Sequence, residues 1–355
     1  MQKKRKEILP IIIIILTIIL FISYLVIHYT NSNKKNSKQS NIINNTNDKK
    51  VQNVDVNVQK VTQYNNPSVP DGFKKVETTS ASWQLEDGIP KDWNKGLVIE
   101  DDKGNQFVWV PVDEKNETHF NGNTEITDSK ELPKGISSQS YQIKKYSGFY
   151  VSRYEAGVSD KMQKINTGIN EKINNIKNIP VSKKGVRPWN YISYENAKIN
   201  SESMYSNDTI QSGLITIEQF NAISYWIYDT NDGEDIYNKS QYIGNYTNSN
   251  FTFTGLYSDD YGKNYKYVKD VTKKPGTEIL ISCGIVDKNV TNNIYDLAGN
   301  LEEMSTYDYK DELLTWGGSY RHNSITLKLC DFQNEFTNYV SCSEINGFRV
   351  VLYMK

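Results

Sequence analysis

The chain has 355 residues, of which 37% are hydrophobic and 12% aromatic, enough for one large or two modest domains. Its net charge of −1 is unevenly spread: +3 over residues 1–30, +4 over 31–66 and −8 over the remainder. A mildly acidic body excludes a nucleic-acid binder, which needs a basic surface to neutralise phosphates. The three histidines, His28, His119 and His322, cannot build a three-histidine zinc site together, since one borders an apolar run and one sits in a polar loop. No P-loop, H-E-x-x-H or G-x-S-x-G pattern occurs.

Residues 1–7 form a basic tail with Lys3, Lys4, Arg5 and Lys6. Ile8–Ile27 is then a run of twenty uncharged residues, interrupted only by Pro10, Thr17, Ser23 and Tyr24. As a helix it reaches about 30 Å, the thickness of a bilayer's hydrocarbon core. Residues 8–28 are therefore expected to be a single-pass transmembrane anchor, with the basic tail cytoplasmic and the C-terminal body extracytoplasmic at the cell membrane. A cleaved signal peptide is the competing reading, but no small-x-small site follows the run. Residues 29–66, rich in Asn, Lys, Ser and Gln, are expected to be a disordered linker, because they bury too little surface to offset chain entropy.

From residue 67 the texture changes to short strands and turns. Leu97–Glu100 and Gln106–Val110 flank Asp101-Asp102-Lys103-Gly104-Asn105 and read as a hairpin, making 67–104 a lead-in unit to the body. Gly148–Glu155 reads as a further strand, and 158–186 as an inserted surface segment. Ser193 ahead of Tyr194-Glu195-Asn196-Ala197 predicts one helix start. Thr216-Ile217-Glu218-Gln219 is a capping box that opens a second helix to about Tyr228, with Phe220, Ile223, Tyr225, Trp226 and Ile227 as its apolar face. Residues 229–290 read as long loops rich in Tyr, Asn, Asp and Gly.

Near the C-terminus, Asn293-Ile294-Tyr295-Asp296-Leu297-Ala298-Gly299-Asn300-Leu301-Glu302-Glu303-Met304 precedes Trp316-Gly317-Gly318-Ser319-Tyr320, and Gly347-Phe348-Arg349 closes the chain. Upstream stand Phe107-Val108-Trp109-Val110-Pro111, Phe149–Glu155, Tyr191–Ala197 and Leu214–Phe220. In this order the segments resemble the formylglycine-generating enzyme (sulfatase-modifying factor) family over about residues 105–355. The resemblance implies an α+β, C-type-lectin-like domain over 67–355, behind the N-terminal transmembrane helix.

That family contains enzymes and non-enzymatic binders. Its enzymes oxidise a substrate thiol with O₂ at Cu(I) held by two cysteines spaced C-x-x-x-x-C, just past the G-G-S motif. His322 and Leu327 stand at those offsets here, so no copper is expected. The family's D-x-x-G-N-x-x-E loop wraps calcium; by motif position Asp296 and Glu303 would give side-chain oxygens, and Gly299 and Leu301 carbonyls. The bare reading of the same residues is a turn organised by Asp296 and Asn300, with Glu303 a solvated or paired acid. Both tryptophans of the family's W-E-W are replaced, by Glu302 and Met304.

Some family members vary the stretch between G-G-S and G-F-R to bind partners. Residues 321–346 occupy it, so Arg321, His322, Asn323, Asp331, Asn334 and Tyr339 are the expected ligand-binding residues. Cys330 and Cys342 are the nearest pair for a disulfide, while three buried thiols including Cys283 fit equally. The reading is a membrane-anchored, surface-displayed, non-catalytic module for an unknown protein or glycan. The alternative is a diverged metal- and O₂-dependent oxidoreductase acting on a peptide or small thiol.

Overall fold

The computed structural model describes residues 67–77, 85–86, 89–90, 95–112, 146, 148–159, 166, 168, 178–231, 233–307, 310–329, 331–334 and 342–355. The chain divides into two units, 1–59 and 60–355, and everything below concerns the second. The basic tail, the expected anchor 8–28 and the expected linker 29–66 lie outside the described residues.

A six-stranded antiparallel sheet forms the centre. In spatial order it comprises β1 (Phe73–Val76), β2 (Val98–Asp101), β3 (Gln106–Pro111), β4 (Gly148–Ser152), then the C-terminal strand Val350–Met354, and last the Ile210–Leu214 strand. The lead-in segment is part of this sheet, because β1 pairs with β2 from Phe73↔Asp101 to Val76↔Val98. The expected hairpin is the β2–β3 pair, in register at Val98↔Val108.

Why Phe107-Val108-Trp109-Val110 is apolar without alternation is now plain. The sheet is covered on both faces, and successive side chains point to opposite faces. Val98, Val108, Val110, Phe149, Val151 and Val351 enter one core. Leu97, Ile99, Phe107, Trp109, Tyr150, Val350 and Leu352 enter the other.

A helix packs at each face. α1 (Tyr194–Glu202) starts at Ser193, whose side chain accepts from the Asn196 N–H, and it lends Ala197 to the second core. α2 (Ile217–Thr230) carries the full capping box: the Gln219 N–H donates to Thr216 Oγ1, and the Thr216 N–H to Gln219 Oε1. Its Phe220, Ile223, Trp226 and Ile227 fill the first core. Tyr225 is not on that face; it is 45% exposed.

Residues 229–290 depart most from expectation. Instead of long loops they hold α3 (Glu234–Asn238), α4 (Ser240–Ile243) and an antiparallel ribbon of eight-residue strands, Phe251–Ser258 with Lys266–Lys273. The ribbon's Phe251 and Phe253 pack with Ile279, Ile281 and Val286 in a separate small core. A four-stranded sheet completes the unit, in the order Phe332–Asn334, Lys310–Trp316, Glu302–Tyr307, Asn346–Phe348, with the last pair parallel.

The α+β expectation is therefore corrected: among the described residues the protein is mostly β, with 35% strand against 16% helix. The physical reason is that the Tyr- and Asn-rich middle pairs as strands instead of looping. The transmembrane expectation is corrected too, since among the described residues no helix is long and apolar enough to cross a membrane. Membrane anchoring, the membrane as a partner and the single-pass location are withdrawn with it. The Cys330–Cys342 bridge fails as well: Cys342 is a free, half-buried thiol, and Cys330 lies outside the described residues.

Candidate functional site at the C-terminal loops

The motif residues converge on one buried polar centre. Arg349 is fully buried and donates Nε to both Glu303 oxygens, at 2.7 and 2.9 Å, with Nη2 also on Glu303 Oε1. Nη1 donates to the Ser152 carbonyl and Nη2 to the Tyr295 carbonyl, each at 2.9 Å. One guanidinium thus ties the central sheet, the four-stranded sheet and the Asn293–Asn300 turn. Beside it, Glu155 accepts from the Leu301 N–H at 3.0 Å and from Asn300 Nδ2 at 2.6 Å.

Asp296, at φ 57°, takes the Gly284 N–H on Oδ2 at 2.6 Å. Burial pushes its carboxyl up to about 7, against the Gly284 N–H and the Arg349 charge. Glu155 is raised well above the carboxylate range, first by burial and then by the neighbouring Asp296 and Glu303 charges. Burial also raises Glu303, while Arg349 pulls the other way.

These contacts do not fit a calcium cage. Both Glu303 oxygens face a guanidinium, so a dication there would meet a fixed positive charge at hydrogen-bond range. Asp296 turns one oxygen onto a backbone N–H. Gly299, at φ 71°, serves packing: a Cβ there would lie 2.4 Å from the Asn245 carbonyl oxygen. Leu301 packs its side chain with Leu280 and Tyr320. Among the described residues, no group of three or more His, Cys, Asp or Glu is arranged to hold a metal.

The G-G-S-Y motif leads outward from this centre. Gly317 sits at φ 80°, where a Cβ would lie 2.4 Å from the Leu297 carbonyl oxygen; Tyr246 donates its hydroxyl to the Gly317 carbonyl at 2.6 Å. Past it, Arg321 is exposed and donates Nε to Glu278 at 3.2 Å and Nη1 to Glu344, with its guanidinium 5.1 Å from the Tyr261 ring centroid. Opposite charges and an aromatic face hold it in one orientation.

His322 turns inward. Its Nδ1 lies 2.9 Å from Oε1 of the buried Glu302, 3.0 Å from Ser319 Oγ and 3.1 Å from the Ser319 backbone nitrogen, whose N–H donates to it. The Ser319 N–H needs a bare Nδ1 and Glu302 needs a protonated one, so the two partners compete. Asn323 organises its own turn, taking the Ile325 N–H on Oδ1 and the Thr326 and Leu327 N–H groups on its carbonyl. Leu327 is buried against Gly318.

The remaining expected ligand residues are scattered. Asp331 lies apart from Arg321 in the chain's path, beside α2, and takes the Lys328 N–H on Oδ2 at 2.7 Å. Asn334 pairs with Leu314 in the four-stranded sheet. Tyr339 lies outside the described residues.

Three buried groups, Glu155, Glu302 and Lys273, escape the sequence reading, while Cys283 is among the thiols it offers as buried. Glu155 and Glu302 gave no signal beyond being acids in strand-like segments. Cys283 is a buried free thiol near the Glu155 carbonyl, raised well above its usual range by burial. Lys273 is buried, and its ammonium donates to the Tyr246, Thr247 and Ser249 carbonyls at 2.6, 3.5 and 3.3 Å. Comparison with protein-family models and with curated proteins returns no match for the chain.

Proposed function

We propose that the chain is a non-catalytic binding module on a formylglycine-generating-enzyme-like fold, gripping a protein or glycan with the loops that follow Gly317-Gly318-Ser319. The observation that carries this reading is Arg321. It is exposed, yet fixed between Glu278 and Glu344 over the Tyr261 ring. A pre-oriented guanidinium beside an aromatic ring loses little freedom on binding, which favours recognition. Support also comes from Leu327, a buried apolar side chain at the second cysteine position of the resembled enzymes.

The test uses the full-length chain on arrays of glycans and of peptides. Retention of a ligand that Arg321→Ala weakens at least tenfold supports the reading. Stoichiometric copper or iron in the purified chain, with O₂ consumed on adding a thiol peptide, overturns it in favour of oxidoreductase chemistry.

A further inference from the structure

α2 bears two stripes. One is buried in the core; the other consists of Asn221, Ser224, Tyr225 and Tyr228, spaced i, i+3, i+4 and i+7, and so shares a single outward face. Tyr225 and Tyr228 are each 45% exposed. Across from them stand Tyr237 of α3, Trp316 and Asp331, enclosing a cleft of about 470 Å³. That is within the roughly 300–1,000 Å³ of small-molecule sites. Trp316 is held as a wall, its ring stacked on Phe220 at 4.9 Å and 2°, with Nε1 donating to Ser305 Oγ.

The cleft's polar groups are underused. The Asn221 amide has no hydrogen-bond partner among the described residues, nor does Asp331 Oδ1, while Oδ2 takes the Lys328 N–H. Ser224 donates to the Phe220 carbonyl and keeps its lone pairs. Among the described residues no Lys or Arg lines the space, so a phosphate or sulfate would meet Asp331 without a counter-charge from them. Five of the seven lining residues belong to helices, while Trp316 ends the Lys310–Trp316 strand and Asp331 precedes Phe332–Asn334. A pyranose fits both features. Its C–H face suits flat tyrosine rings, and its hydroxyls suit a free carboxylate oxygen and a free amide.

We propose that this cleft binds a neutral pyranose, stacked on Tyr225 and Tyr228 and hydrogen-bonded to Asn221 and Asp331. The assignment rests on reading the chain as a binding module and names one of its ligand classes. Saturation-transfer NMR on the full chain, with the methyl glycosides of glucose, galactose and N-acetylglucosamine at millimolar concentration, tests it. At least one should show saturable transfer, weakened tenfold or more by Tyr225→Ala and several-fold by Asp331→Asn, and unchanged by Arg321→Ala. The thermal melts of the variants establish that they fold; Asp331→Asn keeps an oxygen for the Lys328 N–H.

No saturable transfer from any of the three, or transfer indifferent to Tyr225→Ala and Asp331→Asn, overturns the cleft as a sugar site. A peptide bound through these same residues, with no sugar binding, also overturns it but leaves the binding-module reading standing. Failure of the sugars together with failure of every array ligand at Arg321 sinks both.

Discussion

Glu303 and Arg349 form a bidentate ion pair, both side chains buried, that ties the four-stranded sheet to the start of the C-terminal strand. Because Arg349 also donates to the Ser152 and Tyr295 carbonyls, its removal leaves an uncompensated carboxylate and two unpaired acceptors. Arg349→Ala should therefore cost about 3–5 kcal/mol. The double variant Glu303→Leu, Arg349→Met should recover part of that, because it removes the stranded charge. Urea unfolding of the three proteins measures both. A single-variant loss under 1 kcal/mol would show that the pair holds nothing together.

The same pair decides the response to calcium. With Arg349 on both Glu303 oxygens, melts of the protein in EDTA and in millimolar calcium chloride should coincide within error. A calcium-dependent rise of several degrees, removed by Glu303→Gln, would show that the ion displaces Arg349 from the acid.

Asp296 should write a pH dependence onto stability. Burial raises its folded value to about 7 from an ordinary 3.8. Between those values the folded state binds more protons than the unfolded state, so stability falls as pH rises. The contribution is fully present below about pH 4 and lost as pH climbs through 7, at up to about 1.4 kcal/mol per pH unit. Asp296→Asn should flatten that slope, since the neutral amide still accepts the Gly284 N–H. Unfolding free energies at pH 4.5, 5.5, 6.5 and 7.5 provide the comparison, and equal slopes in the two proteins would remove Asp296 as the cause.

Much of the scaffold was legible because local chemistry and tertiary need agree. The Thr216–Gln219 box opens α2 as expected, and Gly104 beside Asn105 turns the β2–β3 hairpin. The apolar run at Phe107–Val110 signalled a strand, but only the paired cores explain why it does not alternate. The middle of the chain was less legible. In Lys266–Lys273 the charges resemble a solvated ribbon, and nothing local marks Lys273 as the one turned inward onto three carbonyls.

The site was half legible for a similar reason. Glu302 and Glu303 are adjacent, so a strand must send them to opposite faces. One meets Arg349 and the other His322, and neither partner is close in sequence. The aromatic ring of Tyr225 places it, from sequence, on the apolar face of α2, yet it is exposed. Its spacing with Asn221, Ser224 and Tyr228 carried the contrary signal, and the structure follows the spacing.

Lys273 gives a direct test of that hidden inward turn. Its ammonium is the donor for the Tyr246 and Ser249 carbonyls, at the end of the segment that carries Asn245 onto Asn300. Burial lowers its proton affinity to about 8, yet an uncharged amine would still donate there. Lys273→Met keeps most of the volume but strands the Ser249 carbonyl, at about 1–3 kcal/mol, while the Tyr246 carbonyl keeps the Ser249 N–H as a donor. The expected loss of about 1–3 kcal/mol in urea unfolding should come with faster exchange of the Ile281 amide, which donates to Asn300. Lys269→Met, on the same strand but exposed, should change neither quantity.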